Sequence, residues 1–145
     1  MRKKEGAMAD TVRKIVYFKV YVPNRTGAGA RVMGALRDAG VNLLAFTGFP
    51  LGGGRAQMDF FPENAAAFQR AAKKLGIKVA GKKTGFLVQG VDRVGAVAEY
   101  LDKLAGARIN LISVDALSAG GKKFGAVLWV KSKDVSKASR AIGAS

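Results

Sequence analysis

The hydrophobic pattern switches repeatedly between two periods. Ile15 to Val22 is a run of β-branched and aromatic residues that predicts a strand, broken at Pro23 to Gly27. Ala28, Val32, Ala35, Leu36 and Ala39 then recur at helical spacing, and Gly40 stops that helix. Val41 to Phe49 reads as a second strand. Gly52-Gly53-Gly54 reads as a hairpin, and Arg55 to Phe61 as the returning strand. Asn64 is placed to cap a second helix carrying Phe68, Ala71, Ala72 and Leu75, and Ile77 to Val79 makes a short fourth strand. The order is βαββαβ.

The pattern then starts again, at an offset of 68 residues. Asn24-Arg25-Thr26-Gly27-Ala28 aligns with Asp92-Arg93-Val94-Gly95-Ala96, and Ala39-Gly40-Val41-Asn42-Leu43 with Ala107-Arg108-Ile109-Asn110-Leu111. From Val16 to Pro62 the match is gapless, with 12 identities in 47 positions. The second copy predicts a strand over Thr84 to Val91, a helix from Gly95 to Leu104, a strand over Ile109 to Leu117, a hairpin at Gly120-Gly121 and a strand over Phe124 to Lys131. Asp134 should cap a last helix with Val135, Ala138 and Ile142. The sequence ends at Ser145, which leaves the second copy without its last strand and its sheet edge in need of cover from the N-terminal segment or another chain.

These elements predict an α/β (α+β) protein of two ferredoxin-like βαββαβ units. Each is a two-layer sandwich with an antiparallel sheet, and the second lacks its last strand. Even-numbered strand residues (Phe18, Val20, Met58, Phe60; Phe86, Val88, Leu128) should face the helices. The odd-numbered set Tyr17, Tyr21, Phe61, Leu87, Val127 and Trp129 is also apolar, which points to an interface and, with the bare edge, to a homodimer.

Composition narrows the chemistry. Of 145 residues none is Cys or His, which removes disulfides, thiolate metal sites and imidazole catalysis. Glu63, Glu99, Asp59, Asp102 and Asp115 form no recognisable catalytic pair, and no phosphate-loop or metal motif occurs, so an enzyme is not expected and no cofactor is called for. No apolar run is long enough to span a membrane, and Met1-Arg2-Lys3-Lys4-Glu5-Gly6 has no apolar stretch behind it, so a cytoplasmic chain is expected. Met8 is an alternative start. The net charge of +15 favours polyanions or an acidic partner enzyme. Much of it falls on Arg2, Lys3, Lys4, Arg13 and Lys14 near the start and on Lys73, Lys74, Lys82, Lys83, Lys133, Lys137 and Arg140 at predicted helix ends and loops.

The strand-to-helix turns carry the most chemistry. A helix N-terminus offers unpaired N–H groups and a positive dipole, and Gly27 and Gly95 let a ligand approach the backbone closely. A carboxylate over Thr26, Gly27 and Ala28 fits this arrangement. Asn42 and Asn110 open the next strand, where adjacent elements could bring them toward Asn24 and Asp92. Amide or carboxylate acceptors beside anion donors suit an α-amino acid. Equally, the glycines relax tight turns and the Asn side chains make local bonds.

Val22 to Ala28, followed by a helix and Ala39 to Leu43, resembles an ACT domain, whose pattern is a strand, an Asn-Arg-Pro-Gly turn, a helix and Gly-Val-Asn-Ile. The resemblance covers the chain after residue 12. It implies a basic tail over 1–12 and ACT domains over 13–81 and 82–145. It further implies a regulatory module that binds a small amino acid between paired domains, often with an enzyme of amino-acid metabolism. In serine-sensing members the turn Asn and the second-strand Asn contact the effector, which makes Asn24 and Asn42 the carried-over pair, with Arg25, Thr26, Gly27 and Ala28 around them. Asp92, Arg93, Gly95, Ala96 and Asn110 form the looser second set. Thr26 and Val94 replace the family's Pro, and Val22 and Gly90 stand where serine-sensing members carry a His.

RNA-recognition modules share the βαββαβ order, but Lys122-Lys123-Phe124-Gly125-Ala126-Val127-Leu128-Trp129 matches their third-strand motif only in part. Lys123 replaces a Gly, Ala126 replaces a stacking aromatic, and Phe124 falls on the core parity. Nucleic acid is therefore not the expected partner. A protein-interaction module without a small ligand is the remaining alternative.

Overall fold

The structure is a computed structural model that describes residues 10–145. The first nine residues, with Arg2, Lys3, Lys4 and Met8, lie outside it. The elements are β1 (Thr11–Pro23), α1 (Ala28–Asp38), β2 (Leu43–Gly52), β3 (Arg55–Pro62), α2 (Ala65–Leu75), β4 (Val79–Val91), α3 (Ala96–Gly106), β5 (Leu111–Gly120), β6 (Lys123–Val130) and α4 (Val135–Ile142). The strands hydrogen-bond in the order β2-β3-β1-β4-β6-β5. The chain divides into two compact units, one over Val16–Lys83 and one made of Thr84–Ser145 with residues 10–15. β1 and β4, each 13 residues long, contribute to both.

The first unit is built on β1 from Val16 onward. Phe18 pairs with Phe60 and Val20 with Met58 across β1 and β3, so these side chains share one face. They meet Leu36 of α1 and Phe68, Ala71 and Ala72 of α2 in one core, where Phe18 and Phe68 stack at 4.7 Å. A fully buried Phe side chain contributes roughly 1.5–3 kcal/mol. Asn64 caps α2 by accepting from the Ala67 N–H at 2.9 Å. Gly76 ends α2 in the left-handed region while the Ile77 N–H reaches back to the Ala72 carbonyl at 2.8 Å. That closing turn holds Ile77, so the fourth strand begins at Val79, two residues later than the sequence pattern suggests. Lys82 and Lys83, expected in a loop, lie inside β4.

The second unit repeats the first at the same offset: α3, β5 and β6 each begin 68 residues after α1, β2 and β3. The ladders agree as well, with Phe86 opposite Leu128 and irregularities at Leu111/Ser113 and Ser118/Gly120 that match those at Leu43/Ala45 and Pro50/Gly52. Its core holds Phe86, Val88, Tyr100, Leu104, Phe124, Leu128, Ala138 and Ile142. Asp134 precedes α4, but its side chain makes no capping bond, because a short 3-10 turn over Ser132–Asp134 leads into the helix instead.

The place of the missing last strand is taken by the beginning of β1. In this unit Thr11 to Ile15 lie beside β4, and Thr11 Oγ1 donates to the Gln89 carbonyl at 3.4 Å. Ser145 joins them: its N–H donates to the Val12 carbonyl at 3.0 Å, and its carbonyl accepts from the Lys14 N–H at 3.0 Å.

All seven even-numbered core residues are buried as expected. The odd-numbered face differs from expectation. Tyr17, Phe61, Leu87, Val127 and Trp129 are buried within the single chain, and of the set only Tyr21 is exposed, with Arg55 over its ring at 4.6 Å. Already removed from water, those five side chains offer another copy no apolar surface. Asp59 is also buried on this face and accepts from Gln57 Nε2 at 2.9 Å. Burial raises its pKa despite that bond and the charges of Lys19 and Lys83.

Candidate functional site

The first turn is tied to the β2–β3 hairpin, because the Asn24 N–H donates to the Gly54 carbonyl at 2.9 Å. Arg25 and Thr26 complete the bend, and Gly27 enters α1 at a φ of 86°, a left-handed value that a side chain would strain. Glycine is thus required here by the turn itself. The Ala28 N–H donates to the Arg25 carbonyl at 3.2 Å and the Arg31 N–H to the Gly27 carbonyl at 2.9 Å. Ala28 therefore has no N–H to spare for a ligand, unlike the arrangement expected over Thr26, Gly27 and Ala28. No side chain caps α1 and no acid stands in its first turn. Beside it lies an open hollow of about 280 Å³, lined among others by Asn24, Arg25, Gly29, Phe49, Pro50 and Gln57.

Asn42 is not in this hollow. It follows the other end of α1, in a separate hollow of about 520 Å³ with Met33, Arg37, Gly40 and Phe46, and its carbonyl accepts from the Glu63 N–H at 2.9 Å. An 11-residue helix is about 16 Å long, so one unit keeps the Asn24 and Asn42 side chains apart. The same holds for Asp92 and Asn110. The latter is exposed beyond the far end of α3 and does not line the second turn's hollow.

The second turn has the same backbone and a different chemistry. Gly95 enters α3 at a φ of 75°, and the Ala96 N–H donates to the Arg93 carbonyl at 3.2 Å. Asp92, Arg93, Gly95 and Ala96 line a hollow of about 330 Å³ with Ser118 and Phe124, and Ser118 Oγ donates to Asp92 Oδ2 at 3.2 Å. Arg93 is fully engaged within the unit. Its Nη1 and Nη2 donate to the two carboxylate oxygens of Asp10 at 3.2 and 3.1 Å. Nη1 also donates to the Val91 carbonyl at 2.9 Å, while Nε and Nη2 donate to Glu99 Oε1 at 3.2 and 3.1 Å. The Tyr100 hydroxyl makes a short bond to Asp10 Oδ2. Burial raises the Asp10 pKa, but the bonds from Arg93 and Tyr100 outweigh it and hold the carboxyl below its ordinary value. The Arg93 pKa is raised, chiefly by its bond to Asp10. The Tyr100 pKa is raised by burial and then by Asp10.

Sequence reasoning left Asp10 in the expected tail, and it read Gly90 only as replacing a His, Glu99 as an acid without a catalytic pair and Tyr100 as a core position of its helix, so none of the four was counted in the site. Its available signal was the repeat itself: Gly90, Glu99 and Tyr100 stand where the first copy has Val22, Arg31 and Val32. Phe124, the aromatic of the partial RNA motif, is buried in the second core and displays no ring for a base to stack on. Among the described residues no cluster of three or more His, Cys, Asp or Glu could hold a metal ion, and no helix is long and apolar enough to cross a membrane.

No family model matches the chain, and neither does any curated protein. Solved structures do. Protein BT0572 from Bacteroides thetaiotaomicron is similar over 92% of this chain and 88% of its own, at 14% identity and a TM-score of 0.75. The regulatory subunit of aspartate kinase from Thermus thermophilus, in its ligand-free form, is similar over 93% of each chain at 16% identity and a TM-score of 0.62. E. coli aspartokinase III in complex with aspartate and ADP matches 90% of this chain with 31% of its own length, at 12% identity and a TM-score of 0.51. At these identities the likeness is one of fold, and the fold is that of ACT domains.

Proposed function

We propose that the chain is a regulatory module that binds a small α-amino acid at the first strand-to-helix turn. The observation that carries this reading is the uncompensated positive end of α1: Arg25 and Arg31 stand there, no acid lies in the first turn, and the hollow beside it is open. Such a place attracts a carboxylate through the helix dipole and the guanidinium. The exposed Asn24 amide oxygen offers an acceptor for the ligand's ammonium group. The regulatory role is supported by the similar fold of an aspartate kinase regulatory subunit and of an aspartokinase holding aspartate. A module of this kind would act on an enzyme of amino-acid metabolism, and the net charge of +15 would steer an acidic partner toward it. Asn42 would join the site only if a second copy brought it there. The exposed apolar edge strands β2 (Phe46, Phe49, Leu51) and β5 (Ile112, Val114, Leu117) support such pairing.

Calorimetry with each free amino acid tests the reading. A ligand found this way should lose about tenfold or more in affinity in Asn24→Ala and in Arg25→Gln, since a hydrogen bond to a charged group contributes about 1.5–3 kcal/mol. Asn110→Ala should bind as the wild type does. No amino acid binding at all would leave a protein-interaction module in its place.

A further inference from the structure

We propose that the second strand-to-helix turn is a carboxylate-binding site that the chain fills from within, with Asp10 as its tethered ligand. Three observations within one unit converge on this. The Asp10 side chain is only 5% exposed, although it sits just before the first strand. Its two oxygens take two donors of the Arg93 guanidinium, the bidentate geometry by which Arg recognises free carboxylates, and the Tyr100 hydroxyl adds a third bond. Finally, Gly90 makes room for it: a Cβ there would lie 1.8 Å from Asp10 Oδ1 and 2.4 Å from its Cγ. A seat with a bidentate cation, a hydroxyl donor and an absent side chain is a receptor for a carboxylate group.

The first copy lacks this seat. Val22 stands at the Gly90 position, Val32 at the Tyr100 position, and Lys78 precedes β4 as Asp10 precedes β1. The two turns therefore differ in kind, one closed by the chain's own acid and one open. Because Asp10 is continuous with the Thr11–Ile15 strand, the carboxylate also anchors the segment that completes the second sheet. A free carboxylate competing for Arg93 would have to overcome the high effective concentration of a tethered group. In the intact protein the seat is consequently closed to simple acids.

Removing the tethered group should open it. Asp10→Gly should lower the thermal midpoint by about 5 °C. Acetate, titrated against chloride at matched ionic strength, should restore at least half of that loss in a saturable way. It should leave the wild type and the double variant Asp10→Gly/Arg93→Met unmoved. Absence of rescue, or equal rescue in the double variant, would overturn the proposal. If Asp10→Gly does not fold, acetate in the refolding buffer should restore the folded fraction, and failure there would overturn it equally. The readout uses no amino acid and no residue of the first turn, so it stands or falls apart from the function proposed above.

Discussion

Gly90→Ala is a minimal change with a large expected effect. The new methyl carbon would stand 1.8, 2.4 and 2.9 Å from Oδ1, Cγ and Cβ of Asp10. No non-bonded atoms tolerate such separations, so the carboxyl has to leave. Its departure strands one bond from each of Nη1 and Nη2 of Arg93 and one from Tyr100, while Glu99 and the Val91 carbonyl still hold the guanidinium. Each charge-assisted bond is worth about 1.5–3 kcal/mol. The three are not independent, and Arg93, 34% exposed, recovers water when released. The loss should therefore be about 2–3 kcal/mol, well below the simple sum. For a chain of this size that lowers the thermal midpoint by about 5–10 °C.

Urea denaturation of wild type, Gly90→Ala, Asp10→Gly and the double variant checks this reasoning. In the Asp10→Gly background Oδ1, Cγ and Cβ are all gone, so the added methyl should cost little and most of the single-variant effect should appear as coupling. Full additivity, or wild-type stability of Gly90→Ala, would refute it. The pH dependence adds a second criterion. The Asp10 pKa lies below its ordinary 3.8 in the folded state. Its contribution is thus complete above the unfolded value and fades as pH falls through the folded one. The gap between wild type and Gly90→Ala should accordingly close in acid.

Asp59 has the opposite sign. Its folded pKa is raised above 3.8 by burial, so its charge costs stability at neutral pH, and Asp59→Asn should raise the denaturation midpoint there, with the advantage shrinking as pH falls toward 3.8. Arg108 holds a φ of 60° where Gly40 holds 74° in the first copy, and Arg108→Gly should stabilise by about 1 kcal/mol in urea denaturation; a loss would show that the arginine makes compensating contacts. Titration with single-stranded RNA should show weak binding that falls steeply with salt and is unchanged in Phe124→Leu; salt-resistant binding abolished by that substitution would restore base stacking as a function. Ile112→Lys and Leu51→Lys, each on an exposed edge strand, should reduce self-association in sedimentation without lowering the thermal midpoint; unchanged association would move the contact elsewhere.

The repeat was the most legible feature of the chain, because period and offset both survive in the pattern. Phe18 on Phe86, Arg25 on Arg93 and Asn42 on Asn110 locate the same backbone twice. Helix ends were readable where a residue does one job, as with Asn64 capping α2. The exchange of strand ends was not. Residues 11–14, Thr-Val-Arg-Lys, carry a single strongly apolar side chain, and Val79 to Thr84 likewise lack the density of a buried strand. Edge strands are held mainly by backbone bonds, which leave little trace in side-chain pattern. The Asp10 seat was hidden for a related reason. It depends on a contact across 83 residues with Arg93 and 90 with Tyr100, and its enabling feature is the absence of a side chain at Gly90.

The divergence of the two turns follows from the shared backbone together with the exchanged strands. Each unit draws its fourth strand from the other end of a 13-residue strand, so the residue just ahead of that strand, Asp10 in one unit and Lys78 in the other, occupies the corresponding position in its own unit. An acid there, with Gly90 to admit it and Arg93 and Tyr100 to hold it, neutralises its turn. A lysine there, with Val22 at the position of Gly90 and Arg25 and Arg31 nearby in sequence position, does not. The repeat thus presents two similar frames, and a handful of positions set their charge in opposite senses. The first turn keeps the positive end of its helix uncompensated, which is the condition for recruiting an anion from solution. In the second, Glu99 stands in the first turn of α3 and the Asp10 carboxylate is already paired with Arg93.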